Sequence, residues 1–226
     1  MVSYLLQRGR CRHCGATIPI RLLLVEIVTG ALFVLVCLLA TSAVAFGVEL
    51  MLSLTLLMIA MYDLRHFIIP NSLVVVVSVL VLGLVALSLS KVSVVEIIAL
   101  WPTLLATIGV FAFYAGLWLV SKGRWIGLGD AKLAAPLSLL LGPWGAFSFV
   151  VFSFWVGAII SVALLGLQRL LAKRGQKRLS FVSLPRTIKS EVPFAPFMII
   201  AFVLVYWFNL DVLRLLGHLF YGSIGI

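Results

Sequence analysis

The chain has 226 residues, of which 64% are hydrophobic and only 11% are charged. A soluble domain is roughly half apolar and one quarter charged, so this composition excludes an ordinary soluble fold. The net charge of +10 would suit a nucleic-acid-binding protein, but in a membrane protein such cations mark cytoplasmic loops that face anionic lipid headgroups. We therefore expect a lipid bilayer, and not nucleic acid, around this chain.

The apolar residues come in runs whose length is set by the bilayer. A helix needs roughly 20 residues to cross about 30 Å of hydrocarbon. The pattern predicts an all-α, polytopic bundle of about seven membrane helices, at 22–43, 50–62, 71–88, 97–120, 131–141, 147–167 and 193–210. We expect three regions: a basic cytoplasmic segment 1–21, a transmembrane domain 22–212 and a short tail 213–226.

The predicted fifth helix is unusually short, because Gly142 and Pro143 end it. From Asp130 to Gly142 it would measure about 20 Å at 1.5 Å per residue, less than the ~30 Å core. Two interpretations are open. Asp130 lies below the headgroups in a water-filled recess, or Gly142 and Pro143 kink one longer helix.

The cations predict the orientation of the chain. If the N-terminus is cytoplasmic and seven helices cross in turn, all of the 17 lysines and arginines except Lys91 and Arg214 fall on the cytoplasmic side. Such a bias is typical of positive-inside topology. Asp63 and Asp130 then both lie at cytoplasmic ends of helices.

Two of the three aspartates, Asp63 and Asp130, lie in segments that suit a reactive site; the third is Asp211. Acids next to hydrocarbon are costly and usually have a function or a partner. Each alone is equally well explained as a solvated helix end. Together, on the same predicted side of the membrane, they favour a two-aspartate site.

The residues around each aspartate are distinctive. Asp130 ends the run Gly127-Leu128-Gly129-Asp130, where glycines permit positive φ and close approach of a substrate backbone. The same run also suits a helix N-cap. Asp63 is followed by a short loop that ends at Pro70 and Asn71.

Two neighbouring carboxylates cannot both ionise readily, so they share a proton. One then acts as a base on water while the other polarises a scissile carbonyl, which requires neither a metal nor a nucleophilic side chain. Asp130 is predicted at a helix N-terminus, where the macrodipole favours negative charge, and Asp63 near a C-terminus. We therefore predict that Asp130 is the ionised partner.

The chain resembles the type IV prepilin peptidases, a family of bacterial inner-membrane aspartic proteases. The resemblance is carried by residues 3–15, with Cys11 and Cys14, and by 25–30, 63–71, 127–133 and 192–197. It implies cleavage of prepilin or pseudopilin leaders just after a glycine at the cytoplasmic face, with Asp63 and Asp130 as the catalytic pair. It also implies, for many members, N-methylation of the new terminus with S-adenosylmethionine, although no Gly-rich loop after a strand locates that cofactor.

The resemblance also suggests supporting residues. Gly127, Gly129, Pro70 and Asn71 belong to the matching motifs. Glu26 matches another motif, but pairing with a nearby cation such as Arg21 explains it equally well. Two interpretations of Lys132 are open. It positions substrate or depresses a carboxylate pKa, or it is a lysine at the membrane interface whose ammonium group extends to the water.

One departure from the family pattern concerns zinc. Family members of the bacterial type usually carry a further N-terminal helix and a second Cys-x-x-Cys. Here Cys11 and Cys14 supply only half of a four-cysteine site, and Cys37 lies within a predicted membrane helix. We expect a shortened form of an eight-helix protein, in which zinc binding is possible but the site is incomplete.

Three alternatives remain at this point. Presenilin-like and signal-peptide-peptidase-like proteases share a Gly-x-Gly-Asp motif, and Tyr62-Asp63 is similar to their other motif. A proton-coupled transporter would place acids along a path through the membrane. An inactive scaffold of a secretion machine would fit if the shortening abolishes activity. The sequence does not show which prepilin is the substrate, whether the methyltransferase activity is retained, or what the oligomeric state is.

Overall fold

The computed structural model describes residues 4, 7, 9–10, 12–89, 100–173, 193–212 and 214–215. In these ranges the chain forms six helices: α1 (Ile20–Leu39), α2 (Ala43–His66), α3 (Asn71–Leu89), α4 (Trp101–Ser121), α5 (Leu128–Lys173) and α6 (Ala195–Tyr206). The chain divides into two compact units, Met1–Leu54 and Thr55–Ile226. The expected helical class is confirmed.

Five helical segments within the described ranges are long and apolar enough to cross a membrane: Leu22–Leu39, Ala43–His66, Asn71–Leu89, Trp101–Ser121 and Leu128–Leu167. Large apolar side chains on several of these helices are exposed, among them Leu38, Val79 and Val120. Exposed apolar side chains on helices of this length suit contact with the hydrocarbon of a bilayer. The chain is a multi-pass membrane protein.

The first unit begins with a small hairpin. The Ile18 N–H donates to the Gly9 carbonyl at 2.8 Å, and Arg10 pairs with Thr17 across an isolated bridge. Gly9 and Gly15 both have positive φ, which allows the tight reversal. The hairpin leads into α1.

Helix α2 begins earlier and ends later than the sequence predicted. The Ala45 N–H donates to the Ser42 hydroxyl at 3.2 Å, an N-capping contact that starts the helix at Ala43. The helix therefore includes residues before the predicted run 50–62, and Glu49 is a buried residue inside the helix. Because α2 continues to His66, Asp63 lies within its last turn.

In the second unit, α5 is the central helix and packs against α3, α4 and α6. Gly157 of α5 allows a close approach to α6, since an added Cβ there would meet the Phe197 ring at 3.0 Å. Helix α6 has 12 residues and is about 18 Å long, too short to cross the hydrocarbon by itself. It is instead largely buried, with Met198, Ala201 and Phe202 fully enclosed.

The predicted fifth and sixth helices form the single element α5, which is broken at Gly142. This glycine has φ 70° and ψ 178°, a conformation essentially restricted to glycine. The stretch 128–141 before the break is about 21 Å long at 1.5 Å per residue. A short helical stretch behind Asp130 is thus confirmed, and the break lies at the residue that the sequence indicated.

Gly142→Ala is expected to destabilise the protein by about 1–3 kcal/mol, because alanine is strained in this conformation. An added Cβ meets nothing within 4 Å at Gly142 or at Gly83, which lies inside α3. Gly83→Ala is therefore the matched control and should be neutral or slightly stabilising. Thermal unfolding in detergent measures both; equal midpoints for the two variants would contradict a strained backbone at Gly142.

Candidate active site

Asp63 is almost fully enclosed in the last turn of α2. Its side chain is 5% exposed, and Oδ2 accepts a hydrogen bond from the Ala195 N–H at 3.1 Å. A buried carboxylate without such a partner would be strongly destabilising. The bond ties the end of α2 to the beginning of α6.

The Ala195 N–H is available because of how α6 begins. The next residue, Pro196, has no N–H, and the Phe197 N–H donates to the Phe194 carbonyl at 3.0 Å. Ala195 thus carries one of the free amides that every helix N-terminus presents. Asp63 satisfies that amide and also lies at the positive end of the α6 dipole.

This contact changes the electrostatic comparison of the two aspartates. The sequence argument placed Asp63 near a helix C-terminus and Asp130 at an N-terminus. The structure places both carboxylates at helix N-termini, Asp63 at that of α6 and Asp130 at that of α5. The helix dipoles therefore do not by themselves distinguish them, and the proton's location stays a prediction.

Asp130 is the third residue of α5 and is 7% exposed. Its Oδ2 accepts the Gly127 N–H at 3.0 Å, and its own N–H donates to the Gly127 carbonyl at 3.1 Å. An acid at the third helical position that reaches back to the capping residue is half of a capping box. Gly127, and not Asp130, is therefore the capping residue.

The two glycines before Asp130 are explained by packing. Neither Gly127 nor Gly129 has the positive φ that the sequence suggested; in this region Lys122 and Gly123 do. A Cβ on Gly129 would lie 3.0 Å from the Ile69 Cβ. The glycine thus allows the first turn of α5 to approach the α2–α3 loop, and it brings Asp130 toward Asp63.

The α2–α3 loop is short and partly strained. Phe67 has φ 56°, an uncommon value for a bulky residue, and its N–H donates to the Asp63 carbonyl at 2.8 Å. This left-handed residue ends α2 directly after the turn that carries Asp63. Pro70 then precedes α3, and its carbonyl accepts the N–H of Leu73 at 3.1 Å.

Asp63 and Asp130 line one cavity of about 330 Å³. The other lining residues come from the α2–α3 loop, the α4–α5 loop and the start of α6: Phe67, Ile68, Ile69, Asn71, Gly123, Arg124, Trp125, Ile126, Gly127, Leu128, Gly129, Pro193 and Phe194. Two acids that are distant in sequence thus face a common space, together with Gly127, Gly129 and Asn71.

Aromatic packing supports the start of α6. Tyr114 of α4 is fully buried, and its hydroxyl lies 2.7 Å from that of Ser153. Because Ser153 donates to the Val150 carbonyl, Tyr114 is the donor in this pair. The Phe194 ring lies 6.0 Å from Tyr114 and 5.3 Å from Phe154 between centroids, so the residue before Ala195 is held by two rings.

The remaining predicted residues lie in different places. Lys132 donates to the Asn71 side chain at 3.1 Å, in the second unit. Glu26 lies in α1, in the first unit. Cys14 is exposed in the N-terminal hairpin, and Cys11 lies outside the described residues.

The zinc site that the family pattern suggests includes Cys11, which lies outside the described residues. A structural zinc ion takes four Cys or His ligands. Within the ranges that the structure describes, no group of three or more His, Cys, Asp or Glu side chains could hold a metal. We therefore derive no role for a metal in this chain.

Comparison with known proteins decides the family. Residues 50–162 match the model of the Type IV leader peptidase family, and residues 1–40 match the bacterial peptidase N-terminal domain that accompanies it. The chain belongs to the Type IV leader peptidase family. The family match contains Asp63, Asp130 and the loop that joins α2 to α3.

Named relatives of this member of the leader peptidase family support the same family assignment. A "Prepilin leader peptidase/N-methyltransferase" of Stutzerimonas stutzeri is 30% identical over 92% of this chain and 65% of its own length. Proteins of the same name in Dichelobacter nodosus and Bacillus subtilis are each 27% identical, over 96% and 92% of this chain and 68% and 75% of their own lengths. The chain thus spans about two thirds of the length of the first of these relatives. No solved structure matches it.

Sequence reasoning missed several residues of this candidate site. Ala195 acts through its backbone, so its residue type carries no signal beyond the neighbouring prolines. Tyr114 lies inside an apolar run and resembles any core aromatic residue. The α4–α5 loop was readable in principle, because Lys122 and Gly123 form a left-handed end to α4, with the Gly123 N–H donating to the Trp118 carbonyl at 2.9 Å.

The contact between the α2–α3 loop and α5 can be tested by cross-linking. In a background with the native cysteines changed to serine, Ile69→Cys with Gly129→Cys should form a disulfide on mild oxidation. The Cβ positions lie 3.0 Å apart, and a small local shift brings them to the roughly 3.8 Å that a disulfide requires. Mass spectrometry of the digested protein detects the linked peptides.

The control pair is Ile69→Cys with Gly116→Cys, since an added Cβ at Gly116 meets nothing within 4 Å. If the control pair cross-linked as readily as the first pair, the close approach of Gly129 to Ile69 would be refuted.

Proposed function

We propose that this chain is an aspartic endopeptidase that removes the leader peptide of type IV prepilins or pseudopilins. The observation that carries the proposal is the placement of Asp63 and Asp130, both buried, on one cavity. Family membership and the names of the relatives support it. The buried pair is the arrangement that acid–base hydrolysis of a peptide needs.

The proposed reaction uses one water and one shared proton. The ionised aspartate takes a proton from the water, whose oxygen attacks the scissile carbonyl carbon while the protonated aspartate donates to the carbonyl oxygen. The tetrahedral intermediate then breaks at its C–N bond, and a proton passes to the leaving amine. One carboxylic acid and one amine form, and the aspartates return to their original states.

The fixed hydrogen bonds suit this chemistry. Each aspartate uses Oδ2 to accept a backbone N–H, from Ala195 or from Gly127. The other oxygen, Oδ1, is then available to water or to a substrate carbonyl. Because backbone amides at helix starts hardly move, the carboxylates are held in place before substrate binds.

We propose that the site faces the cytoplasm of a bacterial cell, at its inner membrane. Arg124 lines the cavity and Lys122 lies two residues earlier, so the loop that joins α4 and α5 is cationic. Cationic loops are retained on the cytoplasmic side of a membrane. The cleavage site of the prepilin would accordingly be reached from that side.

Methyl transfer is a second proposed activity, supported only by the relatives' names. S-adenosylmethionine would supply the methyl group, and the free amine produced by cleavage would accept it. The same assay can detect it, because a methylated product differs in mass from an unmethylated one. The presenilin-like and transporter alternatives lack comparable support, since the matched family is that of leader peptidases.

Asp63→Asn and Asp130→Asn should each lower the rate of leader removal by about 10²–10⁴-fold, because each removes a group that transfers a proton. Asp211→Asn is the matched control. Asp211 pairs with Arg214 at 3.4 Å, outside the residues that line the cavity, and its loss should leave cleavage near the native rate. Purified protein in detergent with a prepilin, followed on gels, measures all four proteins.

Cleavage that survives either substitution in the pair would reject the assigned residues. Failure of the native protein to cut any prepilin would reject the proposed function for this chain. Native-like yield and melting temperature of the Asn variants must accompany a loss of activity, so that misfolding is not mistaken for lost chemistry.

A further inference from the structure

A polar contact links two helix starts beside the cavity. Lys132 Nζ, in the first turns of α5, donates to Asn71 Oδ1, at the first residue of α3, over 3.1 Å. The two residues are separated by 61 positions in the chain. Asn71 lines the cavity and Lys132 does not, so the lysine reaches the site only through the asparagine.

The chemistry of the pair determines how the Asn71 amide is oriented. An ammonium group has three donors and no acceptor, so the amide must present its oxygen to Lys132. The amide NH₂ then points away from Lys132. The contact is exposed to solvent, so water accepts from that NH₂ in the free protein. A group that enters the cavity can replace this water as the acceptor.

A peptide in this cavity needs such a donor. Its backbone carbonyls lose water on binding, and an unpaired buried carbonyl costs free energy. An ionised aspartate can only accept hydrogen bonds, so Asp63 and Asp130 cannot donate to the other backbone carbonyls of the peptide when they are ionised. Asn71 can, through a neutral group that does not neutralise the two aspartates.

We propose that the Asn71 amide donates a hydrogen bond to a backbone carbonyl of the substrate peptide next to the scissile bond. Lys132 is the positioning residue that holds this amide. The inference rests on the proposed peptidase function and adds a substrate-binding group to it. The bond to the lysine is charge-assisted, which polarises the amide and strengthens its NH₂ as a donor.

Two variants test the Asn71 NH₂ donor and its contact with Lys132 separately. Asn71→Asp keeps the size of the side chain and still pairs with Lys132, but it has no NH₂; an acid in the first turn of α3 also favours the helix. Lys132→Met keeps the donor and removes its anchor. Ser72→Asp is the matched control, because it adds a carboxylate one residue away, at an exposed position outside the cavity lining.

The probes are peptides that span a prepilin leader junction, with the scissile amide reduced to –CH₂–NH– so that they bind without being cut. In a second set, each neighbouring carbonyl in turn is replaced by a thiocarbonyl, whose sulfur is a weak acceptor. Affinities are measured by fluorescence polarisation on the full chain in detergent. Cleavage of the unmodified peptide by the native chain is measured in parallel.

One thiocarbonyl position should weaken binding to the native chain and to Ser72→Asp by about tenfold, the effect of one hydrogen bond. Asn71→Asp should bind the all-oxygen peptide about tenfold more weakly and lose nothing further at that position. Lys132→Met should show a loss of about threefold and a reduced thiocarbonyl effect. A merely structural role for Lys132 would leave the thiocarbonyl effect unchanged.

The outcomes separate the two proposals. If the native chain cleaves the unmodified peptide but every thiocarbonyl affects native and Asn71→Asp chains equally, the Asn71 inference is wrong and the peptidase function stands. If the position-specific effect is seen without cleavage, the binding role stands and the peptidase function falls. A native chain that does not bind the uncleavable peptide overturns the Asn71 inference, and the cleavage assay decides the peptidase function.

Discussion

The second unit is organised around the cost of keeping two carboxylates in apolar surroundings. A buried acid must be neutralised or hydrogen-bonded, and here each acid takes a backbone N–H from the start of a helix. Helix starts are the part of a membrane bundle where backbone donors are not already used. The aspartates therefore stabilise the helix ends that hold them, and the site and the fold share the same hydrogen bonds.

Four helix ends meet at the cavity as a consequence. The end of α2 carries Asp63, the start of α3 carries Asn71, and the start of α5 carries Asp130, while the start of α6 supplies the Ala195 amide. Short connections make this possible, since the α2–α3 loop spans only residues 67–70. Helix ends combine a rigid position with backbone polar groups that are not used inside the helix.

Close packing explains features that first look catalytic. Gly129 lets α5 approach Ile69, and Gly157 lets α5 approach Phe197. The rings of Tyr114 and Phe154 then pack against Phe194, the residue that precedes Ala195. Residues without any chemical role thus fix the separation of the two acids, because a Cβ at Gly129 would force the loop that follows Asp63 to move.

Composition, helix lengths and motifs were sufficient to predict a multi-pass helical membrane protein and its family, and the catalytic role of the two aspartates stays a prediction. Those features are local: apolar run length follows from bilayer thickness, and the Gly142 break follows from one residue type. The start of α2 at Ala43 depends on a capping contact from Ser42, which apolar run length does not indicate. Cap geometry of this kind depends on backbone conformation as well as on residue type.

Only the tertiary structure decided what each motif contacts. Ala195 donates through its backbone N–H, so no side-chain pattern in the sequence predicts it as the partner of Asp63. The orientation of the Asn71 amide follows from Lys132, which is distant in sequence and has only donors to offer. The sequence determined which acids are present and on which helices they lie. Their common cavity, and the α6 dipole that Asp63 faces, come from contacts between segments that the chain order does not specify.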